Sequence, residues 1–243
     1  WYDRICRDLE WDWRIIRREV DLQWTKSSDN SVFSEEQLDL LYQDLIMETN
    51  TLVLEVEKES KDPSIPNPKV PYSIRTLCDI DFDKPYFIGC DGGGGLGKDY
   101  TAIVILDPYD DFREVGVFKN NTINLSSLKY LLLELSVKFK NASFFIENNN
   151  YGKGVIDELL DYPRFAKKLY FNYKISDKDK TKSHPNKVTK TIEYGINTNT
   201  SSRELMIDIL REVVIDYPET IMSEDIYDDI KGFYKSINSV FAR

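Results

Sequence analysis

YFIGCDGGGGLGKDYTAIVILD, residues 86–107, decides the fold. Tyr86 to Cys90 is a short apolar run that reads as a strand and delivers Asp91 to its end. The chain then turns through Gly92, Gly93, Gly94, Gly95 and Gly97 and enters a second strand, Tyr100 to Leu106. A carboxylate at a strand tip is held by the sheet and still reaches solvent, which suits a hard divalent cation that prefers oxygen ligands. The glycines permit close approach of a backbone or a phosphate. The plain alternative is a glycine-rich hairpin turn beside a solvated Asp91. A nucleotide P-loop fits poorly: GGGGLGKD lacks the Gly-x-x-x-x-Gly-Lys-Ser/Thr spacing and precedes a strand, not a helix.

Downstream, the turn Asp107-Pro108-Tyr109-Asp110-Asp111 leads to a third strand, Glu114 to Phe118, close enough for a three-strand meander. A helix follows from about Leu125 to Phe139, with Leu125, Leu128, Leu132, Leu135 and Phe139 on one side. Ser143 to Ile146 reads as a fourth strand ending at Glu147, Tyr151 to Leu160 as a helix, and Leu169 to Tyr173 as a fifth strand. Helices are expected at about Arg203 to Ile215 and Ser223 to Ile237. This order predicts an α/β fold, a mixed sheet with helices on both faces. A doubly wound dinucleotide fold fits less well, because a helix should follow its first strand directly.

The segment FFIENNNYG, residues 144–152, repeats the device of the first motif: an apolar strand ends in a carboxylate, then amides and a glycine precede a helix. Adjacent strands in a mixed sheet can place Asp91 and Glu147 side by side, where they repel unless a cation lies between them. Taken singly, Glu147 is explained as a charge favoured by a helix N-terminus, and Asn148 to Asn150 as turn chemistry. Neither explanation accounts for two carboxylates at strand ends.

Upstream, residues 1–60 read as helical or irregular, with a helix opening at Glu35-Glu36-Gln37-Leu38 behind a Ser34 cap. Pro63, Pro66, Pro68 and Pro71 then mark a linker or an extended crossing. The expected division is an N-terminal segment or linker at 1–75 and one main domain at 76–243.

With 41% hydrophobic residues, the 243-residue chain can bury one sizeable core. No apolar run approaches the roughly 18 residues of a membrane span, and no signal peptide is visible. The start without Met is expected of a piece of a longer polypeptide. Cys6, Cys78 and Cys90 form no CxxC pair and His184 is the single histidine, so a Cys/His zinc site is not expected. Widely spaced thiols suit a reducing cytoplasm. Trp1, Trp11, Trp13 and Trp24 read as packing anchors.

The net charge of −10 argues against general affinity for nucleic acid, but the charge is uneven. Residues 164–190 carry nine Lys or Arg against two acids, a net +7, so the remainder sums to −17. Within that stretch, Lys178, Lys180 and Lys182 are candidates for sequence-independent phosphate contacts, as is Lys98 beside the glycines. The plain alternative is a solvated, lysine-rich surface loop.

Together the two strand-end motifs resemble the nuclease domain of the large terminase subunits of tailed phages, the DNA-packaging motors. That family has an Asp at the end of its first strand, a Gly-rich turn with a similar Lys/Gln-Asp-Tyr exit, and then a Glu-Asn-Asn-x-Gly segment. The resemblance runs from about Tyr86 to the C-terminus, and Lys190 to Ile209 (KTIEYGINTNTSSRELMIDI) resembles the family's Gly-Ile/Trp-x-Thr segment before a helix. Trp11 to Phe33 is similar to the connection leaving the family's ATPase domain, whose Walker-type motifs are absent from this sequence.

The resemblance implies an RNase H-like fold and a Mg²⁺- or Mn²⁺-dependent endonuclease that cuts double-stranded viral DNA during packaging, with two ions at the site. Asp91 and Glu147 would be catalytic metal ligands, with Asp99 as an occasional or outlying ligand. It further implies a portal, a small terminase subunit and an ATPase domain in the same polypeptide as partners, no membrane, and the host bacterial cytoplasm as location. One departure matters: no His-Asp-Asp supplies the family's third acid. That acid is expected beyond Arg243, or else from Asp225, Asp228 or Asp229, which otherwise read as the solvated face of an amphipathic helix. Two other functions remain open: a DNA-binding or portal-docking assembly module with little activity alone, and an actin-like ATP phosphotransferase using the Asp91 loop.

Overall fold

The structure, a computed structural model, describes residues 31–46, 49–57, 67–97, 99–176, 189–236 and 239–241. The four tryptophans, Cys6 and His184 fall outside the described residues.

Helix α1 (Glu35–Gln43) begins where expected, and the reason is a capping box: Ser34 Oγ accepts from the Gln37 N–H, and the Gln37 side chain accepts from the Ser34 N–H. The next two elements differ from the sequence expectation. Strands β1 (Asn50–Glu57) and β2 (Lys69–Thr76) form an antiparallel hairpin where a helical or irregular segment and a proline-rich crossing were expected. In β1 the signal is an alternation: Leu54 and Val56 are buried, while Val53, Glu55 and Glu57 are exposed. In β2 the prolines hide it. Pro71 lacks an N–H, yet it is tolerated because β2 meets its inner neighbour only at Arg75 and Thr76.

Strands β3 (Phe87–Asp91), β4 (Thr101–Asp107) and β5 (Arg113–Asn120) form the expected meander. The tight turn between β4 and β5 is held by Asp107 Oδ1 accepting from the Tyr109 N–H at 2.9 Å, with Asp111 and Phe112 at φ of 49° and 57°. Helix α2 (Leu125–Lys138) crosses over to β6 (Ser143–Ile146), which pairs with β3 in parallel. The sheet order is β1-β2-β5-β4-β3-β6. Helix α3 (Asn150–Leu159) and a four-residue helix α4 (Pro163–Ala166) follow.

One face of this sheet makes the main core. Ile88, Cys90, Ile103, Ile105, Phe144 and Ile146 meet Leu128, Leu131, Leu132 and Leu135 of α2 and Val155, Ile156 and Leu159 of α3. Each such side chain contributes about 1.5–3 kcal/mol relative to exposure. Lys168, counted with the basic stretch, serves this core: its Nζ donates to the carbonyls of Ser136 (2.6 Å) and Phe139 (3.1 Å) at the end of α2. Partial burial lowers its pKa.

A second hairpin, β7 (Phe171–Ser176) and β8 (Thr189–Tyr194), follows. The fifth strand was expected at Leu169 to Tyr173; Leu169 makes only an isolated bridge to Phe144, and β8 was not expected at all. Helix α5 (Thr200–Asp216), a 3₁₀ turn at Pro218–Thr220, and helix α6 (Glu224–Gly232) then build a smaller core with α1. It contains Phe33, Leu41, Ile207, Val214, Ile221 and Ile230. Helix α6 is shorter than expected and gives way to β9 (Tyr234–Ser236) and β10 (Ser239–Phe241).

Glu114 ties this second layer to the sheet. A register shift between Ile105 and Leu106 pairs Glu114 with Leu106 and turns it off the main-core face. There its carboxylate, 1% exposed, accepts from Met222 N (3.1 Å), Ser223 N (2.9 Å) and Ser223 Oγ (2.5 Å). Helices therefore lie on both faces of a mixed sheet, as expected. No helix among the described residues is long and apolar enough to cross a membrane.

Candidate metal centre

The parallel pairing of β3 with β6 positions the site. Its register runs Phe87 with Ser143 through Cys90 with Ile146, and the Glu147 N–H donates to the Cys90 carbonyl at 2.9 Å. Asp91 and Glu147 are thus the next rung. Strand alternation sends Ile146 and Cys90 into the main core and both carboxylates to the opposite face.

Two glycines keep the strand ends close. A Cβ on Gly152 would lie 1.8 Å from the Glu147 carbonyl oxygen, so the turn into α3 admits no larger residue. Gly195, at φ +80°, brings the chain against the end of β6; a Cβ there would meet the Ile146 carbonyl at 2.6 Å. Ile196 then bridges Glu147, its N–H donating to the Ile146 carbonyl at 2.8 Å and its carbonyl accepting from Asn148 N at 2.7 Å. The Asn148 side-chain amide donates to the Tyr194 carbonyl at 2.9 Å. Across the site, the Gly93 N–H donates to Thr101 Oγ1 at 3.0 Å and anchors the glycine loop.

Asp91 and Glu147 stand on adjacent strand ends, close enough for each carboxyl to act on the other. Asp91 is open to solvent as a residue, yet protein atoms crowd its carboxyl. That burial first, then the neighbouring Glu147 carboxyl with its negative charge, then the charge of Asp99, push the Asp91 pKa up to about 7. Arg203, in the first turn of α5, pulls the other way. Sequence reasoning missed Arg203. Its signal was its position, because a helix N-terminus disfavours a cation unless an anion lies close by.

The donor set fits a hard divalent cation: oxygen atoms only, from two carboxylates at adjacent strand ends whose mutual repulsion a cation would relieve. Cys90 does not join it, since its thiol is buried in the main core, where desolvation raises its pKa.

The structure thus brings Asp91 and Glu147 together, with Asp99 near enough for its charge to act on Asp91. Lys98, Lys178, Lys180 and Lys182 lie outside the described residues. Among the described residues, no three His, Cys, Asp or Glu side chains are grouped to hold a metal ion. The three aspartates of α6 are not simply solvated. Asp225 pairs with Arg75 and Asp229 with Lys119, so two of the three face cations of the sheet.

No protein-family model matches the chain. Solved structures do. The large terminase nuclease from thermophilic phage G20c, crystallised with magnesium, superposes with a TM-score of 0.51 at 18% identity, covering 88% of this chain and 87% of that one. The same nuclease with cobalt gives 0.50 at 17% identity over 88% and 87% of the two chains. Without a named metal it gives 0.50 at 18% identity over 88% of each.

The chain has the large terminase nuclease fold. In this RNase H-like frame, the expected mixed sheet is present. At this identity the likeness concerns the fold; the roles of Asp91 and Glu147 rest on the geometry above.

Proposed function

We propose that this chain is a divalent-metal-dependent endonuclease that hydrolyses phosphodiester bonds of double-stranded viral DNA in a packaging motor. The observation that carries it is the Asp91–Glu147 pair, set side by side at adjacent strand ends on the face away from the main core. The terminase nuclease fold supports the choice of nucleic acid as substrate, and the magnesium and cobalt bound by the G20c nuclease support a divalent ion.

Asp91 and Glu147 would hold the metal, so that the scissile phosphate would be oriented against it. When bound, Mg²⁺ or Mn²⁺, in a two-ion arrangement, lowers the pKa of the attacking water and stabilises the leaving oxygen. Asp99 adds negative charge from the side. Arg203 attracts a phosphate oxygen and opposes the carboxylates' mutual repulsion. Lys98, Lys178, Lys180 and Lys182 take up the neighbouring phosphates without reading sequence. In this reading the domain works beside an ATPase domain of the same polypeptide, with a portal and a small terminase subunit, in the cytoplasm of a bacterial host.

Asp91→Ala and Glu147→Ala should each reduce Mn²⁺-dependent nicking of supercoiled plasmid by at least about 100-fold, with circular dichroism unchanged. Undiminished nicking by either folded variant sinks the proposal.

One observation favours a second reading. With no third acid grouped beside the pair among the described residues, the chain serves as a DNA-binding or portal-docking module of low activity. Tight DNA binding that needs no metal, with no nicking by the wild type, selects it.

A further inference from the structure

A cleft of about 480 Å³ opens beside Glu147. Its base is Phe145, which shares a sheet face with Glu147 because the two are separated by one residue in β6 and its extension. Tyr170 stacks on Phe145, with ring centroids 5.2 Å apart and planes inclined by 27°. Asn172 of β7, Glu193 of β8, Gly195 and Asn197 complete the lining. The cleft and the carboxylate pair share a rim, since Ile196 lines the first and bridges Glu147 of the second.

The described residues that line the cleft include no lysine or arginine. It offers the Phe145 and Tyr170 rings beside the Asn172 and Asn197 amides. These are the groups that recognise a nucleobase drawn out of its stack, by ring contact and by hydrogen bonds along its polar edge. The volume accommodates a base with its sugar. A duplex cannot enter, because its bases are stacked and their edges already paired.

We propose that this cleft is a subsite for one unpaired nucleobase of the DNA strand lying on Asp91 and Glu147. The inference rests on the nuclease reading and names what that site takes beyond the scissile phosphate. Strand cutting would then favour DNA that is bulged, frayed or locally opened beside the cleaved bond.

The test separates binding from cleavage. A duplex of about 20 base pairs carrying one extra, unpaired 2-aminopurine is compared with the same duplex fully paired, in EDTA so that no metal acts. The wild type should bind the bulged duplex at least about fivefold more tightly and quench the 2-aminopurine fluorescence, as a base stacking on an aromatic ring does. Tyr170→Ala and Asn197→Ala, two residues that line the cleft, should each abolish that preference and the quenching while leaving affinity for the paired duplex unchanged. Equal binding of the two duplexes by the wild type, without quenching, overturns the subsite whether or not the protein nicks plasmid. Competition by free deoxynucleoside monophosphates at the affinity of the bulged duplex also overturns it, by showing a free-nucleotide site. Loss of plasmid nicking in Asp91→Ala with the bulge preference retained is the result expected of a base subsite that stands apart from the metal ligands.

Discussion

Lys119 Nζ lies 2.7 Å from Asp229 Oδ1, joining β5 to α6 on the sheet rung that also carries Asp91. The rung runs Asp91, Ala102, Lys119 across three strands. Lys119 also lies 5.2 Å from the centre of the Tyr100 ring. Side-chain exposures of 22% and 52% leave the ion pair partly solvated, so a double-mutant cycle with Lys119→Ala and Asp229→Ala should return a coupling of under about 1 kcal/mol by urea denaturation. Asp229→Asn should also leave the rise in melting temperature on adding Mn²⁺ unchanged. Loss of that rise would show that Asp229 leaves Lys119 for the ion.

The raised pKa of Asp91 sets a pH dependence. A carboxyl whose folded pKa of about 7 exceeds the ordinary 3.8 binds a proton more tightly when folded. Stability is therefore lost as pH rises from about 4 to about 7, because the unfolded chain gives up that proton first. Asp91→Asn removes the penalty. After allowance for solvent screening on the open face, the metal-free variant should melt roughly 2–4 °C above wild type at pH 8, the shift that about 1 kcal/mol produces in a domain of this size. The gap should close below pH 4. A gap of equal size at both pH values contradicts the raised pKa of Asp91.

Gly152 is held by its neighbour's backbone. The Gly152→Ala methyl would have to displace the Glu147 carbonyl, and overpacking against backbone costs about 1–3 kcal/mol. Chemical denaturation should show that loss together with weakened Mn²⁺ protection. Gly97→Ala is the comparison: at φ +79° it is strained, but no atom lies within 4 Å of its added Cβ, so Mn²⁺ protection should persist.

Glu114 should be the most costly surface-to-core link to remove. Glu114→Ala leaves the Met222 and Ser223 N–H groups and the Ser223 hydroxyl without their acceptor, at about 1–3 kcal/mol for each buried group left unpaired. Hydrogen exchange should rise first in α5 and α6, whose core is separate from that of α2 and α3. Uniform exchange throughout the chain would show that the two layers unfold as one.

The carboxylate pair was legible because it is written locally: an apolar run of strand length ends in an acid, twice. The meander and α2 were legible for the same reason, since alternation and the leucine spacing of residues 125–139 are local signals. The hairpin of β1 and β2 was not, because prolines normally end a strand and only the thin pairing of β2 with β5 makes Pro71 harmless. Strand β8, TKTIEY, carries too few apolar residues to signal itself and is fixed by pairing with β7. Arg203 reaches Asp91 over more than a hundred residues, and the cations opposite Asp225 and Asp229 lie equally far off, so no local pattern announces them.

The turn at Asp107–Arg113 offers a ruler. Tyr109, 80% exposed, stands at the opposite end of β4 from Ala102, the partner of Asp91. Five residues of strand and the turn itself set it roughly 20 Å from the carboxylates. A nitroxide attached at a Tyr109→Cys replacement would therefore report the arrival of paramagnetic Mn²⁺ by dipolar broadening, from a place where the label touches neither the cleft nor the ions.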